Sequence, residues 1–457
     1  MNGNNIVANF IQNISWTDLP ADVRAKAKVC LLDALGAIIV GNPAVITGIS
    51  EKYATRMWPG GDEATMLLFG RRSSAVGAAF VNACAANSLD IDDDGKYTEG
   101  HPGAQIIPVA LAMAEKQGVT GQEALTAIVI GYEVAHRMGR CWHDDHTIYQ
   151  ACGSWGSVAN AAIASRMLGL DTETIKHALG IADYFAPNLP MMRDIDHPTM
   201  VKHGMGWGAM TGIMSAELAS DGFTGVPSLL GSEKYKDWVS TIGQEYIIVD
   251  GVTFKRFSSC LWGHPTFLAA QKVVEKHNIT PSNIERIRVK GFHQMIRLYS
   301  KHPETEEQAQ FSVIWPLAAF LADGEVGPAQ MLKKRFNDPV ITDLVRRIEL
   351  VETEEMNQLH QSTIYPCEVE ITLKSEGVTY SSGVQLYSNS DITGEFGDMW
   401  EPDEVKEKFK KICRTVIDDA TIEKCMDLVE NFNTLQNINP LIQLLNGKSR
   451  DQSGNSK

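Results

Sequence analysis

The sequence predicts a mostly α protein, in which a large helical domain formed by both chain ends carries a smaller α+β lid domain. Three observations predict this: apolar residues recur at helical spacing through the first half, short runs rich in β-branched residues follow after about residue 280, and helical spacing returns from Pro402. The 457 residues also exceed the roughly 250–300 over which a single core usually grows. The predicted segments are 1–255 (first helical part), 256–395 (lid) and 396–457 (helical return), with the last dozen residues disordered.

The first half contains several segments that fit buried or closely packed helices. AKVCLLDALGAI is apolar almost throughout, which is typical of a core helix. SSAVGAAFVNACAANSLD and GSWGSVANAAIASRMLGLD are rich in small residues, which predicts close contact between helices. GQEALTAIVIGYEVAHRMGR adds a further segment with apolar positions at helical spacing.

Strand patterns are confined to the predicted lid. IERIRVKGF, PCEVEITLK and VTYSSGVQLY are short and rich in β-branched residues. In the second of these, Val369, Ile371 and Leu373 alternate with polar residues, which indicates a half-buried strand. EEQAQFSVIWPLAAFLADG lies among them and is predicted to be helical.

The charge balance excludes several partner classes. With 41 Lys and Arg against 56 Asp and Glu, the net charge is −15, which argues against binding of nucleic acid or of an anionic membrane surface. An anionic substrate would therefore need locally clustered Lys or Arg side chains.

The eight cysteines form no CxxC pair and several lie in apolar runs, which indicates buried free thiols in a reducing compartment. The N-terminus does not resemble a secretory signal, and no uncharged apolar stretch reaches 18 residues. We therefore expect a cytoplasmic protein that does not span a membrane.

The stretch SLDIDDDGKYTEGHPGAQIIP, residues 88–108, crowds four aspartates and an imidazole between two apolar segments. Three interpretations remain open: a divalent metal site, an acid/base or substrate-positioning site, and a solvated loop that caps the next helix. An EF-hand is excluded because its glycine and bidentate glutamate are missing. The titratable residues of this stretch that we single out are Asp90, Asp92, Asp93, Asp94 and His101.

Two other segments carry basic residues beside apolar or glycine-rich sequence. Lys202 and His203 precede alternating glycines, which suits either a phosphate-cradling loop or close helix packing. Lys255 and Arg256 adjoin an apolar stretch, so they either bind carboxylates or form a solvated pair at an interdomain hinge.

A histidine pair lies in WHDDHTIYQACGSWG, residues 142–156. His143 and His146, flanked by two aspartates, suit zinc ligands, a single catalytic base or a solvated loop.

Taken together, these segments make the chain resemble the MmgE/PrpD family, which includes 2-methylcitrate dehydratase, cis-aconitate decarboxylase and iminodisuccinate epimerase. The resemblance runs over nearly the whole chain and rests on CLLDALGAIIVG, LDIDDDGKYTEGHPGAQIIPVALAMAE, GYEVAHRMG, GSWGSVANAAIASRMLGL, MVKHGMGWGAMTG, FKRFSSCLWGH and AQFSVIWPLAAFLADGEVG. It implies a homodimer, a pocket between helical domain and lid, small di- or tricarboxylate substrates, and neither metal nor organic cofactor.

The family's site residues are carried over position by position. Asp90 matches the first aspartate of the family's Asp-x-Asp-Asp motif, and His101 matches its pocket histidine. Lys202 and Lys255 match a pocket lysine and a hinge lysine, and His264 matches the histidine after the hinge. Asp94 and Arg256 complete the substrate-binding set that we predict.

Two positions depart from the family pattern. Where the family's lyases carry a histidine ahead of the glycine helix, this chain has Thr147 or Gln150, with His146 adjacent as a candidate catalytic residue. A tyrosine common in the lid appears here as Trp315. We predict that Gln150 and Trp315 lie in the pocket wall.

The expected function is a cofactor-independent lyase, a dehydratase or decarboxylase, that acts next to a carboxylate. Lys202 and Lys255 would hold the substrate carboxylates and offset developing enolate charge, while His101, oriented by Asp90, would act as base or acid. The alternatives are an isomerase or epimerase of a similar acid, a Mg²⁺-dependent helical enzyme acting on a diphosphate, and a binding protein without activity.

Overall fold

A computed structural model describes residues 2–361, 363–375, 377–388 and 402–447. These residues form 22 α-helices and nine short or medium strands, so the prediction of a mostly α fold is confirmed. The helices of the first part are α1 (Gly3–Asn13), α2 (Ala21–Gly41), α3 (Val45–Met57), α4 (Ala75–Asn87), α5 (Gly103–Gln117), α6 (Gly121–Asp145), α7 (Cys152–Met167), α8 (Thr172–Tyr184), α9 (Met191–Asp196), α10 (Met205–Ser220), α11 (Lys236–Ser240) and α12 (Ile247–Gly251).

The remaining helices are short within the sheet region and longer near the C-terminus. They are α13 (His264–His277), α14 (His293–Ile296), α15 (Glu306–Gln310), α16 (Ile314–Asp323), α17 (Pro328–Met331), α18 (Pro339–Val345), α19 (Glu354–Leu359), α20 (Pro402–Cys413), α21 (Asp419–Glu430) and α22 (Asn439–Leu445). The strands are β1 (Ala64–Met66), β2 (Arg71–Ser73), β3 (Asp93–Gly95), β4 (Val252–Phe254), β5 (Ile284–Gly291), β6 (Ile348–Glu352), β7 (Ile364–Leu373), β8 (Thr379–Ser381) and β9 (Gln385–Ser388).

The helical core is built from α4, α5, α6, α7 and α10, which pack against one another. Small residues allow α7 and α10 to approach closely: a Cβ on Gly208 would lie 2.8 Å from the Cα of Gly153, and one on Gly212 would lie 2.3 Å from the Cβ of Asn160. The alternating glycines after Lys202 therefore serve close helix packing.

One mixed sheet forms the β part of the second region. β5 pairs antiparallel with β7 and parallel with β6, and β7 also pairs with β8 and β9. The three predicted strand segments are present. Strands β1 to β4, which have three residues each and lie in the part predicted as helical, were not predicted from sequence. Strand β6 was not predicted either, because IELVE combines two glutamates with a half-buried pattern and follows a helix directly.

The segment EEQAQFSVIWPLAAFLADG forms two helices, α15 and α16, rather than one. Pro316 lies in the first turn of α16, where its missing N–H is not needed, and in a continuous helix its ring would clash with the preceding turn. Phe311 leaves helical geometry at ψ 47°. The break lets Gln310 and Phe311 reach the helical domain.

Two contacts tie distant parts of the chain to the aspartate stretch. Lys408 of α20 lies 2.6 Å from Asp33 of α2 and donates to the carbonyl of Ile91 at 2.6 Å, both contacts being buried. Strand β3 pairs antiparallel with β4, with Asp93 opposite Phe254. The second contact brings the residue that follows β4, Lys255, next to the aspartates.

Several predictions fall outside the described residues. The boundary between 395 and 396 does so, as does all but the start of the C-terminal dozen, from residue 448 onwards. Within the part of the chain that the structure describes, no single helix has the length and apolar character to cross a membrane; α2 and α3, bent by 91°, meet that test of length and composition only as a pair.

Candidate active site

A cavity of about 270 Å³ opens between residues of the helical core and residues of the lid region. Its volume is slightly below the usual range of ligand pockets, ~300–1,000 Å³, which suits a small molecule. From the helical side the lining includes Asp90, Asp94, Glu99, Gly100, His101, Tyr149, Cys152, Met191 and His203. From the lid side it includes Cys260, Leu261, Trp262, Gln294, Phe311, His360 and Tyr365.

The aspartate stretch is buried and contributes Asp90 and Asp94 to the lining of this cavity. Asp90, Asp92, Asp93 and Asp94 are at most 6% exposed. The interpretation as a solvated loop is therefore wrong, because the chain folds back between α4 and α5 and lies against β4. Asp90 itself adopts a left-handed backbone, with φ 53°, immediately after the end of α4.

Asp90 forms a buried ion pair with Lys255. Lys255 Nζ donates to Asp90 Oδ1 at 2.5 Å, and both side chains are 1% exposed. Burial would raise the pKa of Asp90, but Lys255, Lys202 and His101 outweigh it and hold that pKa well below its usual range. Burial would likewise lower the pKa of Lys255, and Asp90 and Asp92 raise it instead.

His101 has a defined tautomer. Its Nδ1 lies 2.9 Å from the backbone carbonyl of Asp93 and 3.2 Å from Asp92 Oδ2. A carbonyl only accepts hydrogen bonds, so Nδ1 carries a proton and Nε2, 3.5 Å from Asp90 Oδ1, is the nitrogen that exchanges one. Burial would lower the pKa of His101, but Asp92 and Asp90 raise it and favour the imidazolium.

Asp93 anchors the start of α5 rather than facing the cavity. Its carboxylate accepts the N–H of Gly103 at 2.9 Å and the hydroxyl of Tyr132 at 2.6 Å. Burial, with Asp33 and Asp92 adding to it, raises the pKa of Asp93 to about 7 in spite of the hydrogen bond from Tyr132.

Lys202 is a buried cation with a neutral partner. It is 3% exposed, its Nζ donates to Gln310 Oε1 at 2.6 Å, and it lies 4.8 Å from the ring centre of Phe311. Among the described residues, no carboxylate oxygen lies within 4.0 Å of Lys202 Nζ. Gln310 is oriented in turn, because its amide nitrogen donates to the carbonyl of Ser88 at 3.0 Å.

A second imidazole reaches the cavity beside Lys202. His203 is 2% exposed and stacks on His101, with ring centres 5.3 Å apart and planes 16° apart. Its Nδ1 lies 3.0 Å from Asp194 Oδ2, and its backbone N–H donates to the same oxygen at 2.7 Å. Lys202, His203 and Gly204 all have positive φ, at 34°, 57° and 69°, which turns the chain sharply into α10.

The remaining predicted substrate-binding residues differ in how deeply they are buried. His264 is fully buried and donates from Nε2 to the carbonyl of Ser259 at 3.1 Å. Burial, with Lys255 adding to it, lowers the pKa of His264 to about 3. Arg256 is exposed, so of the basic pair only Lys255 enters the buried cluster. Asp94 lines the cavity.

Of the predicted site residues, only Asp90, Asp94 and His101 are in the cavity lining given above. The residues outside that lining are Lys202, Lys255, Arg256, His264, His146, Gln150 and Trp315. His146 is exposed and stacks on Trp142 with ring centres 4.1 Å apart, in a separate surface depression. Gln150 is 4% exposed and accepts the N–H of Leu189 at 2.7 Å. Trp315 is fully buried and donates to the carbonyl of Gln330 at 3.0 Å.

One group of side chains has metal-ligand geometry within the described residues. Asp90, Asp92 and His101 offer ligand atoms within 4.8 Å of one another. Lys255 already binds Asp90, and Asn87 donates to both Asp92 oxygens at 3.0 and 3.2 Å. These contacts occupy Asp90 Oδ1 and both Asp92 oxygens, whereas Asp90 Oδ2 has no hydrogen-bond partner among the described residues. A metal bound at Asp90 Oδ1 would have to displace Lys255.

Two profiles of one known protein family match this chain. The profile of the MmgE/PrpD N-terminal domain matches residues 5–243, and that of the MmgE/PrpD C-terminal domain matches residues 257–433. The chain belongs to the MmgE/PrpD family. The predicted resemblance is thereby confirmed.

Curated relatives within the MmgE/PrpD family match end to end but at low identity. The chain is similar to cis-aconitate decarboxylase from Mus musculus, 25% identical over 97% of this chain and 93% of the relative. It is also similar to the enzymes of that name from Homo sapiens, 25% identical over 97% and 94%, and from Aspergillus terreus, 23% identical over 96% and 95%.

Sequence reasoning did not place three groups that the structure brings to the site. His203 was noted only as a neighbour of Lys202, and Asp194 and Gln310 were not singled out. A signal for His203 was present, because a histidine directly before a glycine-rich helix start lies next to the lysine already selected. Nothing local marks Asp194 or Gln310, since their roles arise from contacts across the fold.

Proposed function

We propose that this protein is a cofactor-independent lyase that removes carbon dioxide or water from a small di- or tricarboxylate. The observation that carries the proposal is Lys202, a buried ammonium that is held by a neutral amide and lies close enough to Asp90, beside His101, to help lower the pKa of that carboxyl. A buried cation without a carboxylate partner favours binding of an anion, because the anion offsets the cost of burying the charge.

His101 is the proton donor in this proposal. Asp92 and Asp90 favour its imidazolium form, and its Nε2 is the nitrogen that can release a proton to a substrate carbon. In decarboxylation, the bond to the departing carboxylate breaks, carbon dioxide leaves, and the electron pair stays as an enolate on the neighbouring carboxylate. Lys202 stabilises that charge, and the proton from His101 Nε2 completes the product, with one proton taken up overall.

Decarboxylation is the first reaction to test, because the curated relatives carry that name. Dehydration needs the same groups and one base in addition. A second candidate is an isomerase or epimerase of a similar acid. The pair of stacked imidazoles supports it, since two proton carriers next to one carbon are what such a reaction requires.

The test is proton NMR of EDTA-treated protein in D₂O with citrate, 2-methylcitrate, cis-aconitate, malate, tartrate and iminodisuccinate. A lyase gives a decarboxylated or dehydrated product, whereas an epimerase gives the substrate diastereomer or a deuterated substrate. Lys202→Met serves as the matched negative variant and should lose the reaction. No product and no deuterium from any acid would contradict the proposed function.

We further propose a homodimer, as family membership implies. Light scattering on the purified protein should give twice the 50.2 kDa chain mass. A monomer at micromolar concentration would contradict it.

A further inference from the structure

Two imidazole–carboxylate pairs face the same cavity from different parts of the chain. His101 is held by Asp92 and precedes α5, and His203 is held by Asp194 of α9 and precedes α10. Their rings are nearly parallel, with centres 5.3 Å apart. Both line the cavity, so a small ligand bound there can touch both.

We infer that His203 is a second proton-transfer residue of this site, acting as a base through Nε2, and that Asp194 is its positioning residue. The inference rests on the proposed function and deepens it, since it assigns the base that a dehydration requires. The substrate in this step is the hydroxy acid of the proposed dehydration, which carries a hydrogen on the carbon next to a carboxylate.

The contacts of His203 fix which nitrogen is available. Asp194 Oδ2 lies 3.0 Å from Nδ1 and also accepts the backbone N–H of His203 at 2.7 Å. The contact is close but lacks hydrogen-bond geometry. A deprotonated Nδ1 would present its lone pair to a carboxylate oxygen 3.0 Å away, so we place the proton on Nδ1, and Nε2 keeps its lone pair. Asp194 contacts both the ring and the backbone N–H of His203, and so also stabilises the backbone of His203 at φ 57°, which non-glycine residues rarely adopt.

The charges around the two rings separate their roles. The titratable groups that act on the pKa of His203 are Asp194, His101 and Lys202. Burial lowers the pKa of His203, and His101 and Lys202 add to this against the opposing effect of Asp194. The pKa of His101 is instead raised by its carboxylates. Environments that push two pKa values apart assign one group as base and the other as acid.

The balanced step follows from these assignments. His203 Nε2 takes the proton from the carbon next to a carboxylate, and the electron pair of that C–H bond forms the new C=C bond. The neighbouring C–O bond breaks, and the departing oxygen takes the proton of His101 Nε2 and leaves as water. Lys202 offsets the enolate charge that develops in between. His203 then returns its proton to solvent, and His101 regains one.

The first experiment compares deuterium uptake and product formation by NMR in D₂O, using malate, citrate and 2-methylcitrate as probes. The proteins are wild type, His203→Gln, His101→Gln and, as a matched control, His277→Gln, whose ring stacks on Tyr380 in the lid. We expect His203→Gln to lose deuterium uptake and dehydration by about 10²-fold or more. His277→Gln should match wild type.

The outcomes separate the inference from the function on which it rests. If the wild type transforms an acid and His203→Gln does so within threefold, the inference is overturned and the proposed function stands. If the wild type transforms none of the panel acids, the proposed function fails and the inference fails with it.

A second experiment tests Asp194 with readouts that loss of structure alone would not reproduce. Because Asp194 opposes the lowering of the His203 pKa, Asp194→Asn should move the acid limb of the pH profile of kcat/KM to lower pH, and Asp194→Glu should partly restore it. Imidazole ¹⁵N NMR of the wild type should show the Nδ1–H tautomer for His203, protonating at lower pH than His101. The Nε2–H tautomer, or protonation of His203 before His101, would overturn the inference.

Discussion

Asp90 and Lys255 form a 2.5 Å ion pair with both side chains 1% exposed, although 165 residues separate them in the chain. The pair joins the end of α4 to the residue after β4. It also leaves Asp90 able to face His101 Nε2 at 3.5 Å. Stability and site charge therefore depend on the same contact.

Replacing Lys255 by Met should strongly destabilise the protein. The change leaves Asp90 buried without its cation, and removing one partner of a buried pair costs about 3–5 kcal/mol. Urea unfolding measures this as a lower midpoint at an unchanged m-value. The matched control is Lys176→Met, whose partner Glu173 is 77% exposed, and it should cost under about 1 kcal/mol. Equal effects of the two substitutions would contradict the importance of the buried pair.

Replacing Gln310 by Glu should weaken binding of carboxylate ligands, at some cost in stability because a carboxylate cannot donate to the carbonyl of Ser88. The new carboxylate would pair with Lys202 and neutralise the ammonium that we assign to the substrate. Isothermal titration with tricarballylate should show at least about tenfold weaker binding, a change of about 1.4 kcal/mol.

The control for this substitution is Gln308→Glu on the same short helix. Gln308 Oε1 accepts the N–H of Glu304 at 2.7 Å, which a carboxylate can also accept. The affinity of Gln308→Glu for tricarballylate should equal that of the wild type. Unchanged affinity in Gln310→Glu would remove Lys202 from the anion site.

His136 should make the protein sensitive to acid. It is fully buried, neither ring nitrogen has a hydrogen-bond partner among the described residues, and burial with Arg137 and Lys26 lowers its pKa to about 3. The unfolded chain takes up this proton near its usual pKa of about 6.5, so stability is present above that pH and is lost as pH falls toward 3.

His136→Leu tests this dependence. Between about pH 6 and pH 4, the free energy of unfolding of the wild type should fall more steeply than that of the variant, by up to about 1.4 kcal/mol per pH unit. Urea titrations at several pH values give both curves, which should run parallel above pH 7. Parallel curves in acid as well would show that His136 titrates alike in the folded and unfolded states.

Metal removal should leave activity unchanged. The candidate ligands Asp90 and Asp92 are bound by Lys255 and Asn87, so we expect equal rates before and after EDTA treatment and no gain on addition of Mg²⁺. The alternative of a Mg²⁺-dependent enzyme requires loss of activity with EDTA and its recovery with the metal. Rates measured on one preparation before and after EDTA treatment decide between metal-independent and Mg²⁺-dependent activity.

Helical periodicity and small-residue content predicted the elements around the site, because the spacing of apolar residues along the chain shows which face of a helix is buried. They predicted α2 as a core helix and close helix contacts for α7, and the structure supplies α10 as the partner of α7. The same reasoning treated the segment of α15 and α16 as continuous, since the effect of Pro316 depends on where the helix starts. The position of Gln310 follows from that break.

The sequence by itself determined the family, the mostly helical architecture and the crowding of carboxylates around His101, since all three rest on residue types and their order. Only the tertiary structure decided which groups meet. It pairs Asp90 with Lys255, places His203, with Asp194 behind it, at the cavity, and leaves His146 stacked on Trp142 outside it. The physical reason is that a side chain's charge state and reach depend on partners brought together by packing of distant segments, which local spacing does not encode.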